Sequence, residues 1–229
     1  MSASNPIELE FSRKYDLNHA RQYLRKHQEG PARRLSHWRD VQLARRALKL
    51  AGEPGLVLDL PCGAGRFWPM LCEQPNRAIF AADNSADMLA TAHAAQPREV
   101  VARINGFCTS AFDIDLGANA VDCIFCIRLL HHIESSAHRL TILREFHRVS
   151  RDTVILSLWV DGNYKAWKRR RLEARRAAEG RVSENQNRFI VTRSAIEKEF
   201  GQAGFNVIGH FDFLPGYAMW RTYVLRKAG

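Results

Sequence analysis

Residues 57 to 67 read VLDLPCGAGRF: an apolar run ends on Asp59, passes through Pro61 and Cys62, and turns on Gly63 and Gly65. Glycines after a strand let a ligand approach the main chain, and a helix that follows points unpaired amides at it. Enzymes that bind dinucleotides place a pyrophosphate on such a turn, G-x-G-x-x-G. Here the third glycine position, counted from Gly63, is Trp68. Asp59 at the mouth of the turn would repel a pyrophosphate and attract a cationic group. Asp83 ends the next apolar run, 24 positions after Asp59, near the offset of about 20 residues at which an acid accepts hydrogen bonds from a ribose. Taken singly, Asp59 is equally a helix cap and the two glycines a tight turn. Together, two acids and two glycines describe a nucleoside with a cationic tail. S-adenosylmethionine, with a ribose, an ammonium and a sulfonium, is such a ligand.

Two further stretches carry polar chemistry. Arg128, His131 and His132 lie in RLLHHI, directly after an apolar run, where ligands of parallel sheets bind. One of the histidines could serve as a general base, since an unperturbed imidazole titrates near neutrality; the alternative is that both begin a helix and satisfy local backbone groups. The segment from Lys165 to Arg181 holds eight basic residues and two acids. With Tyr164, Trp167 and Lys168 as candidate acceptor contacts, it reads as a lid over an anionic acceptor, a surface that tracks RNA phosphates, or a patch for anionic lipid headgroups. The plain alternative is a solvated helix.

The elements that must position these residues are legible as periodicity. LVLDL at 56 to 60, AIFAA at 78 to 82, VDCIFCI at 121 to 127 and TVILSLW at 153 to 159 have strand length and the composition of strands covered on both faces. A weaker strand is expected at 100 to 104, VVARI. Between the runs lie helical patterns: RFWPMLCEQ, SADMLATAHAAQ and AHRLTILREFHRV, with Leu140, Leu143 and Phe146 on one face. Strand and helix in alternation give a parallel sheet with helices on both faces. Toward the C-terminus, SAIEKEFGQAGF reads as a short helix capped by Ser194 and ended by Gly204. FNVIGHFDF and YAMWRTYVLR flank Leu-Pro-Gly as an antiparallel hairpin. RDVQLARRALKL at 39 to 50 places Val41, Leu43, Ala44, Ala47, Leu48 and Leu50 on one helical face.

These residues resemble the class I S-adenosylmethionine-dependent methyltransferases, from about residue 40 to the C-terminus. VLDLPCGAGRF is similar to the family's first motif, acid-x-Gly-x-Gly-x-Gly, and AADNSADMLATA to its second-strand motif. VDCIFCIRLLHHI and LREFHRVSRDTVILSLW resemble its fourth- and fifth-strand regions. The resemblance implies a Rossmann-like, doubly wound, mostly parallel seven-stranded α/β sheet with a C-terminal antiparallel hairpin and helices on both faces. It implies S-adenosylmethionine contacts at Asp59, Pro61, Gly63 and Gly65, at Asp83, Asn84 and Met88, at Ser110 and Ala111, and at Arg128. Pro61 stands in place of the family's first glycine, and Ser110 in place of an acid toward the adenine amino group, with Asp113 as its rival. SRDT replaces the usual glycine pair before the fifth strand, and the Pro-Pro motif of exocyclic-amine base methylases is absent. Tyr15 loosely matches an aromatic of the family's variable N-terminal cap. Residues 1–50 are therefore expected as a helical extension or cap, and 51–229 as the methyltransferase domain with a basic insertion at about 160–190.

The whole chain sets the bounds. Its 229 residues, 46% hydrophobic, suffice for one domain with a sizeable core, and a net charge of +10 favours acidic partners. Five cysteines in a chain of this length fit a reduced compartment, and Cys123 and Cys126, inside an apolar run, read as core thiols. Without a secretory leader or a long apolar run, the reading is a cytoplasmic protein with no transmembrane segment. The expected activity is methyl transfer to an oxygen or nitrogen of a small or lipid-linked, anionic acceptor. An RNA methyltransferase and a catalytically silent S-adenosylmethionine-binding protein are the alternatives.

Overall fold

The computed structural model describes residues 30–180 and 187–229. Tyr15 and most of the expected cap lie outside the described residues. The first element, α1 (Pro31–Leu50), leads into β1 (Leu56–Asp59), the short α2 (Trp68–Leu71), β2 (Ala78–Asp83), α3 (Ala86–Ala95), α4 (Arg98–Val101) and β3 (Ile104–Cys108). After these come β4 (Val121–Cys126), a 3-10 turn at Leu130–His132, α5 (Ser136–Val149), β5 (Ser150–Trp159), α6 (Tyr164–Ala178), α7 (Arg193–Gln202), β6 (Phe205–Asp212) and β7 (Trp220–Lys227).

The seven strands form one sheet in the order β3-β2-β1-β4-β5-β7-β6. Strands β1 to β5 are parallel to one another, and β7 runs antiparallel to both β5 and β6. The chain moves outward from β1 to β3 and then returns beside β1 as β4. The direction of winding therefore reverses between β1 and β4, and a crevice opens at their carboxyl ends. Leu43, Ala44, Ala47 and Leu48 of α1 are buried; Ala44, Ala47 and Leu48 join Phe67, Phe125, Ile155 and Val224 in the core of one face. On the opposite face Ile142, Leu143 and Phe146 of α5 join Ile196 and Phe200 of α7 over Leu58, Ile124, Val154 and Leu156. Cys123 and Cys126 are fully buried within β4.

Four local expectations change. Residues 98–101 are helical and the third strand begins at Ile104: Pro97 opens α4, whose Val100 is buried as a helical residue, so two adjacent β-branched residues imitate a strand. The true strand, INGFC, is an edge strand with polar and small residues, where burial writes no apolar run. Around RFWPMLCEQ the helix is only four residues long. Thr192, not Ser194, caps α7, accepting the Ala195 N–H at 3.3 Å. Leu50, at the end of α1, is exposed.

Candidate functional site

The turn after β1 is tied to the strands on either side. Leu60 N–H donates to Phe125 O of β4 at 3.0 Å, and Cys62 N–H donates to Ala82 O of β2 at 2.8 Å. The left-handed conformations fall on Gly63 (φ 53°) and Gly65 (φ 68°), so proline at position 61, joined to Leu60 by a cis peptide, is never asked for a positive φ. A Cβ on Gly65 would lie 2.7 Å from the buried indole of Trp68. Gly65 is thus reserved for the ring that occupies the third glycine position of a dinucleotide turn. Gly63 N–H donates to Asp83 Oδ2 at 3.0 Å, and Ser85 N–H donates to Asp83 Oδ1 at 3.1 Å. The acid that ends β2 therefore also holds the glycine turn.

Beside this turn lies a cleft that opens to solvent. Pro61, Gly63, Asp83, Asn84 and Met88 line it along the first two strands, Ser110 and Ala111 beyond the third, and Arg128 and His132 beyond the fourth. Ser110 is on the wall, while Asp113 is exposed and does not line the cleft. Asp59 and Gly65 do not line the cleft. Asp59 is buried beneath it, and its Oδ2 has no hydrogen-bond partner. The Trp68 indole N–H is likewise unpartnered, although it lies near enough to ease the acid's burial. Burial, and then the neighbouring Asp83, push the Asp59 carboxyl well above the usual range; burial also raises Asp83, against the backbone N–H groups that favour its charge.

The two histidines part company. His131 is buried, its ring 5.3 Å from Trp159 and 4.6 Å from Trp220 between centroids. Burial, then the neighbouring His132 and arginines, press its pKa down to about 2, and it does not reach the cleft. His132 does, and its Nδ1 donates to Asn187 O at 2.5 Å. A carbonyl can only accept, so this bond assigns the proton to Nδ1 and the lone pair to Nε2. Tyr164 and Trp167 line a separate, open hollow on the outer surface, and Lys168 is exposed on the same helix. None of the three meets the cleft.

One cluster escaped sequence reasoning. Arg128 donates to Asp40 Oδ2 at 2.6 Å and Arg66 donates to the same oxygen at 3.1 Å; both arginines line the cleft. Arg128 also stacks over Trp220, 4.7 Å from its centroid, with its backbone at φ 69°. Arg66 was visible inside the first motif. Asp40 sits on a helix whose sequence signal was its apolar face, and nothing local announces a partner 88 residues away.

A family model described as a methyltransferase domain matches residues 57–153, the stretch from β1 into β5 that builds this cleft. Residues 57–153 form a methyltransferase domain. Among solved structures, it resembles a magnesium protoporphyrin IX methyltransferase from Synechocystis PCC 6803 with bound SAH, at a TM-score of 0.72 and 17% identity over 92% of this chain and 95% of that one. The same protein with bound SAM matches at 0.70 and 15%, over 98% and 100%. A putative O-methyltransferase from Nostoc punctiforme PCC 73102 matches at 0.58 and 25% identity over 81% of this chain, which spans 56% of that protein's length. A possible histamine N-methyltransferase from Thermotoga maritima matches at 0.61 and 13%, over 95% and 98%. No curated protein matches in sequence.

The residues present fit the methyltransferase's cofactor, S-adenosylmethionine: an acid at the end of β2 on the wall, a turn that admits main chain at Gly63, and an unpartnered buried carboxylate oxygen beneath it. A pH dependence follows. Burial raises both acids in the free protein, and a cationic ligand favours their ionised form. Binding therefore releases protons, and affinity rises with pH until the raised free-state pKa values are passed. Titration calorimetry in buffers of different ionisation enthalpy should show proton release, with affinity falling at acidic pH above the ordinary carboxylate range. Uptake of protons, or a flat profile there, would contradict this electrostatic account.

Proposed function

We propose that the methyltransferase moves a methyl group to an oxygen or nitrogen of a small or lipid-linked, anionic acceptor, with His132 as the base that takes the acceptor's proton. The observation that carries this reading is His132 on the cleft wall with its proton committed to Asn187 O at 2.5 Å. S-adenosylmethionine supplies an electrophilic methyl carbon whose leaving group is a neutral thioether, so the protein need not protonate it. What remains for this chain is orientation, exclusion of water and removal of a proton from a hydroxyl or ammonium. An anionic acceptor is supported by Arg66 and Arg128, two guanidinium groups on the cleft wall that both reach Asp40. The similar structures include a magnesium protoporphyrin IX methyltransferase, a putative O-methyltransferase and a possible histamine N-methyltransferase.

We take residues 1–50 as the cap of this site, since Asp40 of α1 ties the helix to both cleft arginines. Met88 and Ser110 are taken as adenine-side contacts and Asp83 as the ribose acid. Asp59 acts from beneath through its charge. A cytoplasmic location is supported by five free cysteines, one of them exposed; among the described residues no helix is long and apolar enough to cross a membrane.

The test is transfer of labelled methyl from S-adenosylmethionine into cell extract separated into lipid, small-molecule, protein and RNA fractions. Label in the lipid or small-molecule fraction is expected. Label in RNA would reassign the acceptor, and a protein that binds the cofactor yet labels nothing would be a silent binder.

A further inference from the structure

Helix α6 buries one side chain, Ala166. Its amphipathic pattern is therefore not spent on the core. Two main-chain bonds, Tyr164 N–H to Gly216 O at 2.9 Å and Lys165 N–H to Tyr217 O at 3.0 Å, lock its first turn onto the β6–β7 connection. Together the two elements present large apolar side chains to solvent: Tyr164 is 48% exposed, Trp167 55%, Leu172 45%, Leu214 45% and Tyr217 47%, and Tyr164 stacks on Tyr217 at 5.8 Å and lies 5.9 Å from Trp167. Side chains of this size are rarely left together in water without a partner. Basic groups surround them. Lys165 lies over the Tyr217 ring and Arg171 over the Trp167 ring. The helix has one acid, Glu173, bonded to Arg169, and Glu179 just beyond it is bonded to Arg175. Among the described residues, no carboxylate pairs with Lys165, Lys168 or Arg171.

We propose that this aromatic and basic face of α6 and the β6–β7 connection docks on an anionic lipid bilayer, with Trp167, Tyr164 and Tyr217 at headgroup depth and the lysines and arginines on the phosphates. Tryptophan and tyrosine partition to that depth because one end of each ring is apolar and the other wet. A basic helix with such a face lies in the interface plane. Charge complementarity selects anionic over zwitterionic lipid. A nucleic acid fits less well: Leu172 and Leu214 offer aliphatic surface it would not use. The Tyr217 ring is engaged by Tyr164 (stacked, 5.8 Å) and Lys165, and the Trp167 ring by Arg171, where free ring faces would be needed to stack on bases.

Helix α6 follows the carboxyl end of β5, the end of the sheet at which the cleft opens. Strand β5 ends on Trp159, which packs on His131, next in sequence to the cleft residue His132, and α6 begins five residues later. Docking there would bring a lipid-linked acceptor to the cleft mouth. This deepens the acceptor reading and rests on it only for that delivery.

The experiment is flotation of the full chain, without cofactor or acceptor, with vesicles of phosphatidylcholine alone and of equimolar phosphatidylcholine and phosphatidylglycerol. Binding is expected to the mixed vesicles only, weakening as salt rises. The double change Lys165→Glu, Arg171→Glu should lower it by about tenfold or more at low salt, and Trp167→Ala should lower it severalfold. S-adenosylmethionine affinity of the double variant should match the parent chain, which separates lost docking from lost fold. Equal binding to both vesicle types, no vesicle binding, variants that float like the parent, or binding of an RNA oligonucleotide in place of vesicles would each overturn the proposal. Methyl transfer to a soluble acceptor without vesicle binding would overturn it while leaving the activity intact.

Discussion

Asp83→Ala is expected to weaken S-adenosylmethionine binding by about 10²-fold or more, because hydrogen bonds to a charged group contribute about 1.5–3 kcal/mol each and more than one is lost. The carboxylate works in two directions. Toward the protein it accepts Gly63 N–H at 3.0 Å and Ser85 N–H at 3.1 Å, which sets the glycine turn. Toward the cleft its remaining acceptor capacity is available to donors such as ribose hydroxyls, since an ionised carboxylate offers about four lone-pair sites. Asp83→Asn keeps one acceptor oxygen and the shape but removes the charge, so it should retain more affinity than the alanine variant. The fold should suffer less than binding. Burial raises this acid, so its contribution to stability is fullest below its unfolded pKa and fades as pH rises through the folded one. At neutral pH the buried charge is a cost of folding that the variant removes. Calorimetric affinity beside a thermal melt checks both halves. Unchanged affinity would remove Asp83 from the site.

The sheet was legible because four of its strands are covered on both faces and must be written as unbroken apolar runs. The edge strand β3 was not, since Asn105 and Gly106 face partial solvent and the adjacent Val100–Val101 pair imitated a strand while lying in a helix. Part of the cleft wall was legible for a related reason: a glycine turn and an acid at the end of the next strand are local patterns, and Pro61, Gly63, Asp83, Asn84 and Met88 all line the cleft. Depth was not legible. Asp59 and Gly65 stand in the same motif, yet one is buried beneath the cleft and the other is spent on Trp68. Nor could adjacency in sequence say that His131 turns toward two tryptophans and His132 toward the cleft. The clamp of Arg66 and Arg128 on Asp40 joins three distant segments, and a contact of that kind has no signature in any one of them.

His132→Ala should then lower kcat by about 10²–10⁴-fold, the usual worth of a positioned general base, while leaving S-adenosylmethionine affinity near that of the parent chain. Burial lowers the imidazole's pKa; the bond to Asn187 O opposes that shift, and the charge of Arg188 adds to it. The ring is therefore neutral at pH 7, with Nδ1 carrying the proton and Nε2 the lone pair. The acidic limb of the kcat profile should accordingly lie below 6.5, the ordinary imidazole value, and should disappear in the variant. His132→Gln can keep a hydrogen bond to Asn187 but cannot take up a proton, so it should be as slow as alanine, whereas added imidazole should restore part of the rate to the alanine variant alone. His131→Ala provides the contrast. With a pKa pressed down to about 2, that ring takes no proton near neutrality, and its loss opens a void between Trp159 and Trp220. It should lower the melting temperature and leave the shape of the pH profile as it was. Full turnover by His132→Ala with an unaltered pH profile would mean that the acceptor arrives already deprotonated, and that orientation alone carries the reaction.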